Sequence, residues 1–422
     1  MDRNPGTGYN PEGPISVEEA RERLLALLPT LTPQGVPLAD AGGLVLARDV
    51  VATRELPGFD NAAMDGFAVR AVDTRGASAA APARLRLRGE VAAGAAQAPA
   101  VEPSTAVRIM TGAMVPAGAD AVIEVERTTV EDATVLLTAE VPRGKHIRPA
   151  GGDTRVGDVA LRAGDVLRAS QLGLLAALGE VEPLCLPRPR VAVIPTGDEL
   201  VDPGQAPAEG QVTDIVSTAL PAAVREAGGE PLLVPRAGDT EADVRRAFAA
   251  APGADLVVSV GGVSMGEYDH VRRVIEGDGR LEFWRVAMRP GKPLAVGVVG
   301  GVTVVGLPGN PVSALVGFEV YVLPALLAMS GRPAWGRPRR RARLTAPVTK
   351  PAGLRSFVRA RLDGRAGSLE VAPLGGQESH QLRSLAAANA LIDIPEAVHS
   401  LAAGDEVDVL VLDQPPSPPW LA

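Results

Sequence analysis

The chain has 422 residues, of which 46% are hydrophobic and 22% are charged, and its formal net charge at pH 7 is −8. This composition is typical of a globular protein with several domains and excludes an intrinsically disordered chain. The negative net charge argues against a general nucleic-acid-binding protein, and the single cysteine, Cys185, excludes a disulfide framework and a cysteine-rich metal site.

The sequence pattern predicts neither a signal peptide at the start of the chain nor a membrane-spanning segment. Residues 1–14 are polar and rich in glycine and proline, which indicates a disordered start without a signal-peptide pattern. Ser16 and Glu19 then form a capping box, which predicts a helix that ends near Leu28. Because no apolar run reaches the length needed to cross a membrane, we expect a cytoplasmic protein without membrane association.

A β domain interrupts the first domain. Over residues 50–145, short strand-like segments alternate with turns rich in Gly, Ala and Pro, a pattern typical of a mostly β structure. The flanking residues 15–49 and 146–187 consist mainly of loops, with an apolar helix predicted over residues 170–178. We therefore predict a discontinuous, elongated first domain into which the β domain is inserted.

An α/β domain and a β barrel follow. Over residues 188–335, strands alternate with helices of about ten residues, which indicates βαβ units and a mostly parallel sheet. The last and longest helix is predicted over residues 312–329. Residues 336–412 contain alternating strands and no clear helical pattern, which favours a small β barrel, and residues 413–422 form a tail predicted to be disordered.

Four loops of the α/β domain have compositions suited to bind an oxyanion or a metal. They are residues 196–200 (TGDEL), 261–269 (GGVSMGEYD), 289–293 (RPGKP) and 306–313 (GLPGNPVS). Each follows a run of strand-forming residues, and open α/β sheets bind ligands at the carboxyl ends of their strands. We expect the loops to converge on one cleft, where their carboxylates, glycines and cations indicate chemistry on a phosphorylated substrate.

Carboxylates at these strand exits predict a Mg²⁺ site. Asp198 or Glu199 would act together with Asp239 and Asp269. Mg²⁺ retains several waters and requires only one or two carboxylates besides substrate phosphate oxygens. Capping of the next helix is the alternative role for Asp239, because a second capping-box pattern begins at Thr240.

The other loops predict anion binding. Gly261 and Gly262 would let backbone N–H groups approach a phosphate, although the spacing fits neither a Walker loop nor a Rossmann fingerprint. Arg289 and Lys292 lie on a proline-stiffened turn, where they either bind an anion or remain solvated. Ser313, at a helix start, either donates to an oxyanion or caps the helix.

Further motifs lie outside the α/β domain, at residues 59–68 (FDNAAMDGFA), 108–112 (RIMTG), 118–124 (GADAVIE) and 148–153 (RPAGGD). Together with the four loops, and in this order, they resemble the molybdopterin molybdenumtransferase family, which includes MoeA and the gephyrin E domain. The resemblance covers nearly the whole chain, about residues 15–412. It implies a multidomain α/β plus β protein with an elongated N-terminal domain, an inserted β domain, a central MogA-like α/β domain and a C-terminal β barrel.

The resemblance implies a transferase of molybdenum cofactor biosynthesis. Such an enzyme inserts molybdate into adenylylated molybdopterin and releases AMP in a Mg²⁺-dependent reaction. Cleavage of a phosphoanhydride needs positioning and charge neutralisation, so the lack of a nucleophile–base arrangement in the sequence is no objection. The implied partners are a second copy of the chain, molybdopterin adenylyltransferase and apo-molybdoenzymes, with no nucleic acid and no membrane.

The resemblance also implies roles for individual residues. The implied catalytic residues are Glu199, Asp239, Asp269, Asp60 and Thr111, of which the first three would also bind Mg²⁺. The residues implied to bind substrate or molybdate are Gly261, Gly262, Ser264, Arg289, Lys292, Pro293, Pro308, Pro311, Ser313, Arg359 and Ser379. Asp60 and Thr111 would act from the other subunit of a homodimer, although Asp60 is also a common turn residue.

Three positions depart from the family pattern. Arg289 stands where lysine is frequent, Val216 where asparagine is usual, and Glu378 where a small residue is common. A carboxylate close to a molybdate pocket is unfavourable unless it faces away. The alternative functions are a non-catalytic scaffold similar to gephyrin and a molybdopterin carrier. A molybdopterin adenylyltransferase is a third possibility, but only the central domain resembles that fold.

Overall fold

The computed structural model describes residues 13–95, 97–263, 269–332, 336–364 and 369–413. The predicted disordered start and tail lie outside these ranges, apart from residues 13, 14 and 413. Within the described residues, the multidomain α/β plus β fold is confirmed.

The first helix, Val17–Ala26, begins at the predicted cap. The Ser16 hydroxyl accepts a hydrogen bond from the backbone N–H of Glu19 at 3.1 Å. The buried residues of the helix, which include Leu24, share one apolar core with the α/β domain and the C-terminal barrel. This short segment therefore packs where the two later domains meet.

The rest of the first region contains short strands and one helix. The strands are Gln34–Gly35, Val45–Leu46, Val50–Val51, Val159–Leu161 and Leu184–Leu186, and the helix is Ala169–Leu178. Leu184–Leu186 lies between Gln34–Gly35 and Val45–Leu46 in an antiparallel sheet, so the two halves of this discontinuous region pair directly. Burial raises the pKa of the Cys185 thiol in the central strand, as expected for an inert cysteine.

The β domain is a mixed six-stranded sheet. Its spatial order is Ala121–Glu124, Gly66–Val69, Thr105–Ile109, Ala83–Val91, Thr134–Leu137 and Thr128–Glu131. Only Thr105–Ile109 and Ala83–Val91 pair in parallel, and the other neighbours are antiparallel. Two separate apolar clusters give this domain its own core. Two further short strands, Asn61–Ala62 and Ile147–Arg148, pair with each other at the edge of the domain.

The α/β domain has a six-stranded sheet in the order Glu230–Leu233, Arg190–Pro195, Leu256–Val260, Val302–Leu307, Ala295–Val299 and Gly279–Trp284. The first four strands are parallel, and only Ala295–Val299 runs in the opposite direction, antiparallel to both of its neighbours, which confirms a mostly parallel sheet. Its helices are Val216–Glu226, Glu241–Ala249, His270–Asp278 and the continuous segment Pro311–Met329. Two apolar clusters cover opposite faces of the sheet. Because the first four strands are parallel, their carboxyl ends lie at one edge, which neither cluster covers.

The longest helix corrects one expectation from the sequence. Pro311–Met329 spans 19 residues with a mean hydropathy of 1.9, so by length and composition it is able to cross a membrane. However, 83% of the 18-residue apolar stretch within this helix is buried inside the protein. Side chains such as Tyr321 belong to the main core, which identifies the segment as the central core helix of the α/β domain.

The C-terminal domain is a closed barrel. Five strands close it, in the order Arg355–Asp363, Glu370–Pro373, Arg339–Leu344, Glu406–Val411 and Ala390–Ile394, because Ala390–Ile394 pairs again with Arg355–Asp363. The short strand Met288–Arg289 of the preceding domain also pairs with Arg355–Asp363. Two short strands, Val348–Thr349 and Ser400–Leu401, pair beside the barrel. The helix Leu382–Ala386 was not predicted, because five residues are too few to show a helical period.

An ion-pair network around Arg355 connects the barrel to the first helix. The Arg355 guanidinium donates to both carboxylate oxygens of Asp393, at 2.6 Å and 2.8 Å, and it also contacts Glu18 of the first helix. Bidentate pairs of this kind combine charge with fixed geometry. The hydrogen bonds that Arg355 donates to Asp393 raise the pKa of Arg355.

We predict that Gly66→Ala destabilises the β domain. An added Cβ would lie 1.9 Å from the carbonyl oxygen of Ile123 on the neighbouring strand, and no side-chain rotation relieves such a clash. The free energy of unfolding should fall by at least about 2 kcal/mol in urea denaturation followed by circular dichroism. Gly173→Ala is the control, since no heavy atom lies within 4 Å of its added Cβ and the position is helical. Gly173→Ala should be neutral or stabilising by about 0.5–1 kcal/mol, and equal unfolding midpoints for the two variants would contradict the prediction.

Candidate functional site

A cleft of about 980 Å³ lies between the open edge of the α/β sheet and the barrel. This volume suits a cofactor-sized ligand. The predicted residues that line it are Glu199, Asp239, Gly261, Gly262, Arg289, Lys292, Pro293, Pro308, Pro311, Ser313 and Ser379. Parallel pairing therefore brings three of the four loops together at the strand ends, and the antiparallel strand Ala295–Val299 starts at the same edge, next to the fourth loop, residues 289–293. The barrel adds a fifth loop that contains Glu378, Ser379 and His380.

Two carboxylates face the cleft from neighbouring turns. The backbone N–H of Gly197 donates to the carbonyl oxygen of Ala237 at 3.1 Å, which holds the two turns together. The N–H of Asp198 donates to a carboxylate oxygen of Asp239, also at 3.1 Å. Glu199 and Asp239 are both exposed and line the same wall, whereas Asp198 does not line the cleft.

Asp239 does not cap the helix that follows it. The N-cap of Glu241–Ala249 is Thr240, whose hydroxyl accepts a hydrogen bond from the N–H of Asp243 at 3.1 Å. The capping alternative for Asp239 is therefore wrong, and its carboxylate is available to the cleft.

Asp269 is placed differently from the other two predicted metal ligands. It is only 2% exposed, does not line the cleft, and has a carboxylate oxygen 3.6 Å from Nε of Arg272. Burial raises the pKa of Asp269, while Arg272 acts in the opposite direction. Across the residues that the structure describes, no three His, Cys, Asp or Glu side chains form a group able to hold a metal. The predicted three-carboxylate set is therefore not assembled, and Glu199 with Asp239 is the pair that fits Mg²⁺, which needs only one or two carboxylates.

Trp284 is a part of the site region that the sequence did not reveal. The guanidinium carbons of Arg272 and Arg285 lie 4.6 Å and 4.0 Å from its ring centroid, and its indole N–H donates to the carbonyl oxygen of Val263 at 3.2 Å. Trp284 thus fixes the end of the glycine loop, while Arg272 also faces Asp269. In the sequence, the feature that could have pointed to this residue is a tryptophan, one of only three in the chain, at the end of a strand and directly before an arginine. Ser264 and the rest of residues 264–268 lie outside the described residues.

The glycine loop depends on a close backbone approach. Gly261 has φ +106°, and an added Cβ would lie 2.3 Å from the Thr196 hydroxyl. Gly262 also has a positive φ, +62°. A side chain at Gly261 would separate the exits of two adjacent strands, and at Gly262 an added Cβ would lie 3.1 Å from the Val271 side chain, so both positions favour glycine.

The cationic turn precedes Ala295–Val299, so along the sheet edge the strands Leu256–Val260 and Val302–Leu307 separate it from the turns that carry Glu199 and Asp239. Arg289 and Lys292 are exposed and line the cleft, and the Lys292 carbonyl accepts a hydrogen bond from the N–H of Val286 at 3.0 Å. Met288–Arg289 pairs in parallel with the first barrel residues of Arg355–Asp363, so this turn connects the two domains. Val216 lines the same cleft with an apolar side chain, which supplies no hydrogen bond to a ligand.

Ser313 does not act as a helix cap. The N-cap of the long helix is Asn310, while Ser313 lies within the first turn and is 4% exposed. The N–H of Val312 donates to the carbonyl oxygen of Ser379 at 3.3 Å. This bond joins the helix start to the barrel loop and places both hydroxyl side chains on the lining of the cleft.

Arg359 lies behind the barrel loop and not on the cleft surface. It is fully buried, and its Nη2 donates to the carbonyl oxygens of Gly376 and Glu378 at 2.6 Å and 3.2 Å. Burial lowers the pKa of Arg359. Its Nε and Nη1 are buried and have no hydrogen-bond partner among the described residues. In this structure Arg359 therefore positions the loop that presents Ser379, and the direct ligand contact implied by the resemblance is not made from the cleft lining.

Asp60 and Thr111 lie on the β domain, away from the cleft of their own chain. A carboxylate oxygen of Asp60 accepts a hydrogen bond from the N–H of Ala150 at 2.8 Å, in agreement with a turn role. The N–H and hydroxyl of Thr111 donate to one oxygen of Asp65 at 2.7 Å and 2.6 Å, and these bonds lower the pKa of Asp65. Sequence reasoning missed Asp65, although it lies in the quoted motif of residues 59–68.

Three family descriptions match consecutive parts of the chain. Residues 15–179 match the MoeA N-terminal region (domain I and II), residues 192–328 match a probable molybdopterin binding domain, and residues 341–412 match the MoeA C-terminal region (domain IV). These matches cover the cleft, the β domain and the barrel.

Full-length relatives match as well. The chain is 45% identical over 401 residues to molybdopterin molybdenumtransferase 2 of Mycobacterium tuberculosis, which covers 93% of this chain and 98% of the relative. It is 35% identical over 400 residues to molybdopterin molybdenumtransferase of Haemophilus influenzae, with coverages of 94% and 98%. Two solved structures of the molybdopterin biosynthesis MoeA protein from Pyrococcus horikoshii are similar. Their TM-scores are 0.80 and 0.79, at 33% and 29% identity, and they match 95% and 94% of this chain and 100% of their own.

We predict that Arg359→Met loosens the barrel loop without unfolding the barrel. Its two hydrogen bonds to the loop carbonyls would be lost, and amide hydrogen exchange over residues 374–381 should accelerate about tenfold. Arg361→Met is the matched control, because Arg361 lies on the same strand, is 56% exposed and pairs only at the surface, with Asp363. Peptide-level exchange measured by mass spectrometry checks this, and equal rates in both variants would show that Arg359 does not hold the loop.

Proposed function

The chain belongs to the molybdopterin molybdenumtransferase family, and we propose that it inserts molybdate into adenylylated molybdopterin with Mg²⁺-dependent release of AMP. The family acts in molybdenum cofactor biosynthesis, and its members are transferases. The observation that carries the proposal is the division of one cleft into a carboxylate wall and a cationic wall. A substrate with a pyrophosphate group and an incoming oxyanion require these two environments side by side.

The carboxylate wall suits Mg²⁺. Glu199 and Asp239 are exposed, face the cleft and lie on turns that are hydrogen-bonded to each other. When bound there, Mg²⁺ would neutralise charge on the pyrophosphate oxygens. The role of the two carboxylates is to fix its position relative to the glycine loop, since hard oxygen ligands are the ones that Mg²⁺ prefers.

The glycine loop and the long helix suit the phosphates themselves. Gly261 and Gly262 leave the backbone accessible where a Cβ would otherwise stand. The helix Pro311–Met329 begins at the cleft, and a helix N-terminus favours an anion through its unpaired N–H groups and its dipole. These features would hold the AMP phosphoanhydride for cleavage without a covalent intermediate.

The cationic wall suits molybdate, a tetrahedral dianion. Lys292 and Arg289 supply positive charge, and Ser313 and Ser379 supply hydroxyl donors. Behind the loop, the buried guanidinium of Arg359 adds positive potential, and among the described residues no carboxylate lies within hydrogen-bond distance of it. Water would hydrolyse the phosphoanhydride, which releases AMP and leaves molybdopterin with its own phosphate. The two dithiolene thiols would then bind the molybdenum as oxygens of molybdate leave as water.

A homodimer would complete the site. Asp60 and Thr111 are exposed on the β domain, far from the cleft lining of their own chain. Phe59, Met64 and Met114 lie beside them and are 46%, 38% and 37% exposed. Clustered exposed apolar side chains of this kind indicate an interaction surface. We therefore propose that this surface faces the cleft of a second subunit and that the two polar residues contact substrate there.

The first test of this function is AMP release by the purified chain. With adenylylated molybdopterin and Mg²⁺, AMP release should require molybdate, and the product should activate an apo-molybdoenzyme. Glu199→Gln removes one metal ligand and should raise the Mg²⁺ concentration for half-maximal rate by at least about tenfold. Glu209→Gln, an exposed residue outside the cleft, should leave this concentration unchanged. Tight substrate binding without AMP release at any molybdate concentration would instead support the scaffold or carrier function.

The shared site is tested by a heterodimer of two inactive variants. Asp60→Asn damages the β-domain contribution and Lys292→Met damages the cleft, so a heterodimer purified through two different tags has one intact composite site. It should recover about half of the wild-type AMP release per dimer, because a twofold dimer has two equivalent sites. The matched control combines Lys292→Met with Glu199→Gln, which damages both clefts, and it should restore no AMP release at a Mg²⁺ concentration too low to saturate Glu199→Gln. If the heterodimer of Asp60→Asn and Lys292→Met is as inactive as the two variant homodimers, a site shared between subunits is excluded.

A further inference from the structure

Glu378 places a carboxylate within the cationic wall of the cleft. Its Oε1 lies 3.7 Å from Nη2 of Arg289, and both residues line the cleft. Among the described lining residues, the other two carboxylates, Glu199 and Asp239, belong to the opposite wall. Glu378 therefore lies where an oxyanion would approach, and it is already paired with a cation that the oxyanion would use.

The backbone of Glu378 is held in place from both sides. Its carbonyl oxygen accepts a hydrogen bond from Nη2 of the buried Arg359 at 3.2 Å, and its N–H donates to Oε1 of Gln381 at 3.0 Å. Gln377 adds support, because its side chain bonds both the N–H and the carbonyl of Arg359. The loop therefore keeps the Glu378 side chain at the mouth of the cationic wall.

The side chains themselves are free to exchange partners. Glu378 is 63% exposed and Arg289 is 45% exposed. Solvent screens an ion pair of this kind, and its net contribution to stability is small. A dianion that accepts hydrogen bonds from Arg289 would compete with Glu378, while the carboxylate would repel the dianion for as long as it remains nearby.

We propose that Glu378 is an internal competitor for the oxyanion of this cleft, which pairs with Arg289 in the free protein and weakens the binding of tetrahedral dianions. This inference rests on the proposed function, because it assigns the oxyanion to the cationic wall. Glu378 sets the concentration of dianion at which the site fills, and it takes no part in the cleavage of the phosphoanhydride. The pair therefore acts on molybdate and sulfate alike, since both are tetrahedral dianions.

The test compares Glu378→Gln with wild type in two measurements. Isothermal titration calorimetry with molybdate, and separately with sulfate, gives the dissociation constants, and AMP release gives kcat and the apparent KM for molybdate. In Glu378→Gln both dissociation constants and the KM should fall about fivefold, with kcat unchanged, because the change removes one screened charge interaction. Glu378→Asp retains the charge and should bind the dianions as wild type does.

Glu406→Gln is the matched control. Glu406 lies on the same barrel, is 65% exposed and pairs with Arg341 at 3.3 Å, but it lies outside the cleft. Its removal should change neither dissociation constant, which separates a local effect in the cleft from a general change in the charge of the protein.

The outcomes distinguish this inference from the proposed function. Unchanged or weaker dianion binding in Glu378→Gln would overturn the competitor role, as would a loss of kcat or an equal gain in Glu378→Asp. A protein that binds neither dianion would overturn it too, because the cationic wall would then not be an oxyanion site. If wild type releases no AMP, yet Glu378→Gln binds both dianions more tightly, the proposed function fails and the competitor role stands.

Discussion

The close approach of two neighbouring strand exits is the constraint on which the cleft depends. The hydroxyl and the backbone N–H of Thr196 both donate to the carbonyl oxygen of Val260, each at 3.0 Å, and Gly261 follows directly against Thr196. Because only glycine fits at that distance, the glycine loop and the turn that carries Glu199 share one fixed edge. The lining loop after Val302–Leu307 is placed relative to this edge through the parallel register of the sheet.

A second constraint is the attachment of the barrel to the α/β domain. One apolar core contains residues from the first helix, the α/β sheet and the barrel, so the two walls of the cleft belong to one packed body. The bond from the N–H of Val312 to Ser379 and the parallel pairing of Met288–Arg289 with the barrel lie directly at the cleft. The cationic wall therefore depends on the same packing that fixes the helix N-terminus.

Local patterns were sufficient to predict most of the fold, because they depend on neighbours in sequence. The capping box at Ser16, the alternation of strands and helices, and the strand Leu256–Val260 each follow from such patterns. The burial of Asp269, the position of Arg359 behind its loop and the role of Trp284 depend on residues distant in sequence, which no local pattern contains. Sequence reasoning found no apolar run long enough to cross a membrane, yet the helix Pro311–Met329 is long and apolar enough to do so. Only its buried surroundings in the folded protein show that it is a core helix.

The charges of the cleft indicate that its ligands bind interdependently. Its described lining contains three carboxylates, Glu199, Asp239 and Glu378, together with one arginine, Arg289, and one lysine, Lys292. A polyanionic substrate alone would gain little from such a lining, because the carboxylates offset the cations at short range. A divalent cation at the carboxylate wall reverses this balance, so on the proposed function metal and substrate favour the binding of each other. Glu378 and an incoming oxyanion compete for Arg289. The cationic wall would therefore bind a dianion most tightly once a divalent cation has neutralised Glu199 and Asp239.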